Sequence, residues 1–216
     1  MAVPRTRLVT FEGIDGAGKS TLISGVETAL AARGVDALFT REETNTWIGE
    51  GVKRSIADRT DPLTTLYLFL ADRAEHLAAL RPRLDEGGLV FSDRYHDSTR
   101  AYQAVTLADR FGGVASFEKW LAAQVAPWLV PPARTYLLDV KPAQAVSRMG
   151  ERPGTTIYER SGFLTKVREQ YLRLAKFEPD RWVVLDGSLG PHELVSKVVE
   201  DLERCGLLEA PAAPDR

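Results

Sequence analysis

The chain has 216 residues, of which 44% are hydrophobic, and its formal net charge at pH 7 is −2. This length and composition predict one globular domain spanning residues 1–216. The near-neutral charge gives no general attraction for nucleic acid or for an anionic membrane, so neither is an expected partner. No stretch approaches the roughly 18 apolar residues of a membrane span, and the single cysteine, Cys205, excludes an internal disulfide. We expect a soluble, cytoplasmic protein.

Hydrophobic patterning predicts alternating strands and helices. Short apolar runs bounded by turn or charged residues indicate five buried strands, at residues 8–11, 37–39, 89–91, 135–140 and 182–185. Segments with helical spacing lie between them, and breaks fall at Gly34, at Asp61-Pro62, at the Gly-Gly pair 87–88 and at the Pro-Pro pair 131–132. This alternation predicts an α/β fold whose parallel sheet is covered on both faces. The Ala- and Pro-rich tail 209–216 is expected to fray.

Residues 13–20, Gly-Ile-Asp-Gly-Ala-Gly-Lys-Ser, match the Gly-x4-Gly-Lys-Ser pattern of a phosphate-binding P-loop. The match follows a predicted strand and opens a predicted helix, so backbone amides and the helix N-terminus can surround a phosphate. Lys19 would contact the β- and γ-phosphates of ATP, and the Ser20 hydroxyl would bind Mg²⁺. An ordinary strand-to-helix turn is the alternative, whereas Thr21 in place of a third glycine disfavours a dinucleotide-binding fold. The predicted ATP-binding residues of the loop are Gly13, Ile14, Asp15, Gly16, Ala17, Gly18, Lys19, Ser20 and Thr21.

A P-loop alone does not distinguish a kinase from a GTPase or from a motor or transport ATPase. Asn45 is the only asparagine and precedes Thr46, so the chain lacks the Asn-Lys-x-Asp motif that GTPases generally use to recognise guanine. A GTPase switch is therefore not expected.

Asp93-Arg94-Tyr95 lies at the C-terminal end of the third predicted strand, where open α/β sheets place ligand-binding residues. Asp93 could hold Mg²⁺ through water, and Arg94 could bind an acceptor phosphate with two parallel hydrogen bonds. The alternative is that both charges pair with neighbours at the strand end. Phe69 and Arg73, four residues apart on one helix face, could together bind a base, although Phe69 alone would also suit the core.

The segment 148–160 follows the fourth strand and carries three arginines, Arg148, Arg152 and Arg160, among glycines and a proline. In isolation it would be interpreted as a solvated surface loop. Next to a P-loop, it is predicted to be a lid that closes over ATP. The three histidines have no metal-binding spacing and are interpreted as structural or surface residues.

Four stretches together resemble the thymidylate kinase family, over about residues 8–186. They are Phe-Glu-Gly-Ile-Asp-Gly-Ala-Gly-Lys-Ser-Thr at 11–21, Thr-Arg-Glu at 40–42, Leu-Phe-Leu-Ala-Asp-Arg at 68–73, and Asp-Arg-Tyr-His-Asp-Ser-Thr-Arg-Ala-Tyr-Gln at 93–103. The resemblance implies a P-loop nucleoside monophosphate kinase fold, with a five-stranded parallel sheet flanked by helices, usually as a homodimer. It also implies that ATP and Mg²⁺ are used to phosphorylate thymidine monophosphate (dTMP) to the diphosphate.

The same resemblance implies individual roles for the site residues. Phe69 would stack on thymine, and Thr99 with Gln103 would line the base site. Asp15 would contact the sugar 3′-hydroxyl, and Tyr102 would fill the space that a ribose 2′-hydroxyl needs. The residues implied in dTMP binding are Asp15, Arg41, Glu42, Phe69, Arg73, Arg94, Thr99, Tyr102, Gln103 and Tyr158. The lid residues at ATP are Arg148 and Arg152, the metal-binding residues are Ser20 and Asp93, and the catalytic residues are Lys19, Asp93, Arg94 and Arg152.

The chain departs from the family pattern at three places. Residues 43–45 are Glu-Thr-Asn, where the usual sequence is Pro-Gly-Gly. The Glu-Thr-Asn sequence is closer to that of archaeal relatives. Thr156 replaces the usual acidic residue of the lid, and Gly16 stands where some members carry arginine. The lid arginines would then supply the charge that position 16 lacks.

The predicted reaction needs no general base, because a phosphate monoester has a second pKa of about 6 and is already anionic at pH 7. The remaining obstacle is repulsion between two polyanions, which Lys19, Arg94, Arg152 and Mg²⁺ would reduce. Two alternatives stay open at this point. They are a P-loop kinase for another nucleotide or nucleoside, and an ATP-binding regulatory module.

Overall fold

A five-stranded parallel sheet forms the centre of the computed structural model, which describes residues 6–149 and 157–208, with the backbone alone for residues 157–160. The spatial order is β2-β3-β1-β4-β5. The strands are β1 (Leu8–Glu12), β2 (Ala37–Arg41), β3 (Leu89–Asp93), β4 (Arg134–Asp139) and β5 (Trp182–Asp186). The predicted α/β fold with a five-stranded parallel sheet is confirmed.

Helices connect successive strands, as parallel pairing requires. All five residues of β1 are buried, so both faces of the sheet are covered at its centre. Within the described residues the α-helices are α1 (Lys19–Ala31), α2 (Trp47–Ala57), α3 (Pro62–Asp85), α4 (His96–Leu107), α5 (Val114–Val125), α6 (Pro142–Met149), α7 (Ile157–Phe177) and α8 (Pro191–Arg204), with a 3₁₀ helix at Ala108–Phe111.

The sequence signals for helix ends act where they were predicted. The Asp61 carboxylate caps α3 by accepting the N–H of Leu63 at 2.9 Å, and Pro62 occupies the first turn, where no intrahelical N–H bond is lost. Gly34 follows α1, and Gly87 follows α3. Capping therefore determines where α3 begins.

Each of the five strands ends on a charged residue, and parallel pairing brings these ends to one edge of the sheet. They are Glu12, Arg41, Asp93, Asp139 and Asp186. In the ladder Arg41 is level with Asp93, and Asp139 is level with Asp186. The chemically functional side chains are thus concentrated at the carboxyl edge of an otherwise apolar sheet. Among the described helices, none combines the length and the apolar character that crossing a membrane would require.

Candidate active site

The P-loop follows β1 and lies so close to its neighbours that side chains would not fit at two glycines. A Cβ on Gly13 would lie 2.8 Å from the backbone oxygen of Leu138 in β4, and the φ of Gly13 is +146°. A Cβ on Gly16, whose φ is +78°, would collide with the backbone oxygen of Ala145 in α6. Glycine is needed here because the loop is enclosed between β4 and α6.

Lys19 is the first residue of α1, and its side chain turns back across the P-loop. Its Nζ donates to the carbonyl oxygens of Gly13 and Ile14, at 3.2 and 3.4 Å. Burial, assisted by the positive charge of Arg94, lowers the pKa of Lys19 to about 8. An ammonium group with only long hydrogen bonds and little solvent can gain strongly from contact with phosphate oxygens.

A cleft of about 590 Å³ lies over the P-loop and is called here the phosphate cleft. Besides the loop, its lining includes Arg41, Glu42, Asp93 and Arg148. The Arg148 guanidinium, on α6, donates to the Ala17 carbonyl oxygen at 3.0 Å and so packs on the loop. The phosphate cleft therefore combines backbone amides with cations from β2 and α6.

Ser20 and Asp93 line the same cleft. The Asp93 Oδ1 atom is buried and has no hydrogen-bond partner among the described residues. Buried polar atoms are nearly always paired, so this carboxylate oxygen has capacity for a ligand. A hydroxyl and a carboxylate beside a phosphate site suit Mg²⁺, which binds through few protein ligands and completes its shell with water and phosphate oxygens.

A second cleft, of about 340 Å³, adjoins the first and is called here the acceptor cleft. Its lining is more apolar and includes Phe69, Thr99, Tyr102, Gln103 and Phe163. Three residues border both clefts, namely Asp15, Glu43 and Arg94. The two clefts are therefore halves of one continuous site.

Arg94 lies at the junction of the clefts. Its φ is +70°, a left-handed conformation that is uncommon outside glycine, and its backbone N–H donates to the Phe11 carbonyl oxygen at 3.0 Å. Its guanidinium donates to Asp15 Oδ1 at 2.5 Å and to Ser98 Oγ at 3.0 Å. The turn at the end of β3 thus directs this side chain back over the P-loop.

Tyr102 supports the same junction from α4. Its ring centroid lies 5.2 Å from the Arg94 guanidinium carbon, within cation–π range, and its hydroxyl accepts the backbone N–H of Asp15 at 3.0 Å. Burial raises the pKa of Tyr102 to about 12, so the phenol is neutral near pH 7. The ring therefore contributes packing and an uncharged hydroxyl to the acceptor cleft.

Comparisons with known proteins decide the family. The family model for thymidylate kinase matches residues 11–198. The chain belongs to the thymidylate kinase family. A probable thymidylate kinase from Methanoculleus marisnigri is 45% identical over 200 residues, covering 92% of this chain and 95% of the relative. Probable thymidylate kinases from Methanosarcina mazei and Methanococcoides burtonii are 43% and 42% identical, over 91% and 90% of this chain and 95% and 94% of theirs.

Family membership confirms the thymidylate kinase predicted from the motifs, an enzyme that phosphorylates dTMP and belongs to a family that uses ATP. It does not by itself test individual residue roles. Most residues expected around the nucleotides do line the two clefts, including Arg41, Phe69, Arg94 and Arg148. Arg152 and the side chain of Tyr158 lie outside the described residues, as do Thr156 and the tail 209–216.

Arg73 differs from its partner Phe69 in what it contacts. Phe69 lines the acceptor cleft, whereas Arg73 is 1% exposed and is absent from the lining of both clefts. The Arg73 guanidinium donates to Glu42 Oε2 at 2.9 Å, to Thr99 Oγ1 at 3.1 Å and to the Tyr95 carbonyl oxygen at 3.1 Å. A direct contact between Arg73 and dTMP stays a prediction, while its observed contacts hold two cleft-lining side chains, Glu42 and Thr99.

The segment 43–45, where the chain departs from the family pattern, is held by Asp72. This carboxylate, 1% exposed, accepts the N–H of Thr44 at 2.9 Å and the Thr44 hydroxyl at 2.5 Å. Thr46 then caps α2 by accepting the N–H of Gly49 at 3.2 Å. The loop thus has a defined shape without Pro-Gly-Gly, and it carries Glu43, which lines both clefts.

Sequence reasoning did not identify Glu12, Glu43 or Asp72 as site residues. Glu43 lines both clefts, Asp72 anchors its loop, and Glu12 lies fully buried under Arg94. The sequence did contain one signal for Glu12, which is a carboxylate at the end of an apolar strand and directly before the P-loop. A carboxylate in such a buried place needs hydrogen-bond partners, so a polar network could have been predicted there. The other two depend on contacts between distant segments.

Proposed function

We propose that the phosphate cleft and the acceptor cleft bind ATP and dTMP, and that the γ-phosphoryl group passes between them at Arg94. The observation that supports this most directly is that Asp15, Glu43 and Arg94 border both clefts. A nucleotide with its base in the acceptor cleft would direct its phosphate to this junction. The distance between donor and acceptor would then be set by the protein rather than by diffusion.

ATP would be held by the P-loop amides and by Lys19, with Arg148 completing the site from α6. The lowered pKa and long hydrogen bonds of Lys19 support this role, because the side chain can exchange weak carbonyl contacts for phosphate oxygens. Arg152 would add a further cation at the phosphates. The proposed ATP-binding residues are Gly13, Ile14, Asp15, Gly16, Ala17, Gly18, Lys19, Ser20, Thr21, Arg148 and Arg152.

Mg²⁺ would be held by Ser20 and, through water, by Asp93. The unpaired, buried Oδ1 of Asp93 supports this, since it lies in the cleft that Ser20 also lines. When bound, the ion neutralises charge on the β- and γ-phosphates. The chain's own contribution is to present one hydroxyl and one carboxylate at the open side of the P-loop.

dTMP would lie with thymine against Phe69, between Thr99 and Gln103, and with its phosphate on Arg94. Asp15, which pairs with Arg94 at 2.5 Å, would turn to the sugar 3′-hydroxyl as the acceptor phosphate takes its place on the guanidinium. The apolar lining around a few polar groups is typical of a base-binding site. The proposed dTMP-binding residues are Asp15, Arg41, Glu42, Phe69, Arg73, Arg94, Thr99, Tyr102, Gln103 and Tyr158.

Catalysis would consist of positioning and charge neutralisation. Two unit charges about 4 Å apart repel by about 4 kcal/mol at an effective dielectric constant of about 20, and several such pairs arise when two polyanions meet. Lys19, Arg94 and Arg152 would offset this repulsion as charge moves between the phosphates. Closure of the segment 148–160 would exclude water as a competing acceptor.

A coupled assay of ADP release, run with a panel of nucleoside monophosphates and nucleosides, tests this proposal. Preferred release with dTMP is expected, and Lys19→Ala should remove it. Equal release with every acceptor would favour a kinase of broad acceptor range. ATP binding without release in the presence of any acceptor would favour an ATP-binding regulatory module.

The homodimer and the cytoplasmic setting implied by the sequence are also proposed. The large apolar side chains of Trp47 on α2 and Tyr67 on α3 are 84% and 52% accessible, and they are surface that such a dimer would bury. Light scattering coupled to size exclusion should give a mass near twice 23.9 kDa. A monomer at all concentrations would contradict the dimer.

A further inference from the structure

A fully buried carboxylate lies beneath Arg94. Glu12, the last residue of β1, is 0% exposed. Its Oε1 accepts the backbone N–H groups of Tyr95 at 2.9 Å and Ser98 at 3.2 Å. Its Oε2 accepts the hydroxyl of Ser98 at 2.6 Å and that of Tyr171, on α7, at 2.8 Å. Four donors therefore converge on one side chain that faces neither cleft.

The same two hydroxyls also face Arg94. Its Nη1 lies 3.0 Å from Ser98 Oγ and 3.4 Å from the Tyr171 hydroxyl oxygen. Each hydroxyl has one hydrogen to donate, and an ionised carboxylate can only accept. The two hydroxyl oxygens also lie 2.9 Å apart, so each could donate to the other. The full negative charge of an ionised Glu12 draws both hydrogens to its carboxylate instead, and both oxygens then present lone pairs to the guanidinium.

We infer that Glu12 is a positioning residue, which orients the hydroxyls of Ser98 and Tyr171 so that they hold the Arg94 guanidinium ready for the acceptor phosphate. The inference rests on the proposed role of Arg94. It adds a residue at the end of β1 that lines neither cleft. Charge on Glu12 also favours the left-handed turn at Arg94, because its Oε1 binds the N–H groups of the segment that follows this turn.

The geometry predicts a dependence on the protonation of Glu12. Burial, together with Asp97 on α4, raises the pKa of Glu12 to about 7, while Arg94 and the hydroxyls of Ser98 and Tyr171 oppose the rise. Lys19 on α1 is a further charge that faces it. Above this pKa the carboxylate orients both hydroxyls. Below it the carboxyl proton itself becomes a donor to one hydroxyl, so that Arg94 loses an acceptor and phosphate binding weakens.

Glu12→Gln tests the inference without a change of shape. Because Oε1 faces two N–H groups, the amide oxygen must take that side and the amide nitrogen must face the hydroxyls. At least one hydroxyl then turns its hydrogen towards Arg94. By calorimetry at pH 8, the Kd of dTMP should rise about 10-fold, whereas the Kd of thymidine, which has no phosphate, should be unchanged.

Repeating the titrations at pH 6 separates this role from a structural one. The wild type should itself lose affinity for dTMP, so the ratio of variant to wild-type Kd should shrink from about 10 towards 1. The titration of the dTMP phosphate cancels in this ratio, because it affects both proteins equally. A ratio that is the same at pH 6 and pH 8 would overturn the inference.

Asp201→Asn is the matched control, since Asp201 is a buried carboxylate that accepts from Arg134 and Tyr136 outside both clefts. It should lower the melting temperature and leave the ratio of thymidine to dTMP affinity unchanged. If Glu12→Gln does not fold, Tyr171→Phe removes one hydroxyl and should weaken dTMP but not thymidine. An equal loss of affinity for dTMP and thymidine would overturn the inference about Glu12, and so would an unchanged dTMP affinity in Tyr171→Phe. Either result would leave the proposed function standing. A wild type that failed to bind dTMP would overturn the proposed function with it.

Discussion

Tyr102→Ala is expected to relax the preference for a deoxy sugar. Two contacts hold the ring. The guanidinium carbon of Arg94 lies 5.2 Å from the ring centroid, and the backbone N–H of Asp15 donates to the Tyr102 hydroxyl at 3.0 Å. It cannot easily move aside for a ribose 2′-hydroxyl. A ribonucleotide must displace it or bury an unpaired donor, which costs about 1 to 3 kcal/mol. That free energy corresponds to a preference of about 5-fold to 150-fold, which alanine should abolish.

Tyr102→Phe separates the ring from its hydroxyl. Phenylalanine keeps the bulk in the acceptor cleft and loses the hydrogen bond to Asp15, worth about 0.5 to 1.5 kcal/mol. We expect the sugar preference to be retained. The kcat/KM values for both sugars should fall together, by about 2-fold to 12-fold, because Asp15 is less well held.

The assay compares kcat/KM for dTMP and for its ribo analogue in the wild type and in both variants, with a melting curve for each. An alanine variant that keeps the wild-type ratio would refute selection by Tyr102. If alanine instead lowers kcat/KM equally for both sugars and reduces the melting temperature, the ring acts by packing in the core. Loss of preference in the phenylalanine variant would assign selection to the Asp15 contact instead.

Three further predictions concern single residues. Lys19→Ala should abolish phosphoryl transfer with little change in melting temperature, because its two hydrogen bonds are long; turnover near the wild-type rate would contradict this. Arg152→Ala should lower kcat by about 10³-fold with little change in the KM for dTMP, and a change confined to KM would contradict a transition-state role. Burial and Arg73 lower the pKa of His96 to about 3, below the usual 6.5, although Asp97 opposes this. The unfolded state therefore binds the extra proton, and stability falls as pH decreases from 6.5 towards 3. In urea titrations, His96→Gln should remove about 1.6 kcal/mol of the stability loss between pH 6.5 and pH 5.

The parts of the fold and site that could be predicted depend on residues close together in the chain. The P-loop, the buried strands and the cap at Asp61 each occupy a few consecutive positions. The position of Arg94 in the site could be predicted because it directly follows a strand. The pairing of Arg73 with Glu42 joins residues 31 apart and depends on how α3 packs beside β2. The contact between Glu12 and Tyr171 spans 159 residues. Helix periodicity placed Phe69 and Arg73 on one face, but it could not show that only Phe69 lines the cleft.

Three buried acids explain why the acceptor side has a fixed geometry. Glu12, Glu42 and Asp72 are 0%, 5% and 1% exposed, and an unpaired carboxylate in such a place would cost several kcal/mol. Each carboxylate instead accepts hydrogen bonds from groups that form the wall of the site. Glu12 accepts from the hydroxyls that hold Arg94, and Glu42 accepts from the Arg73 guanidinium, which also holds Thr99. Asp72 accepts from the loop that carries Glu43. An apolar residue at any of these positions would avoid the desolvation cost. It would also leave the adjoining cation or loop free to take several positions, and a reaction that depends on placing two phosphates in line cannot tolerate that freedom.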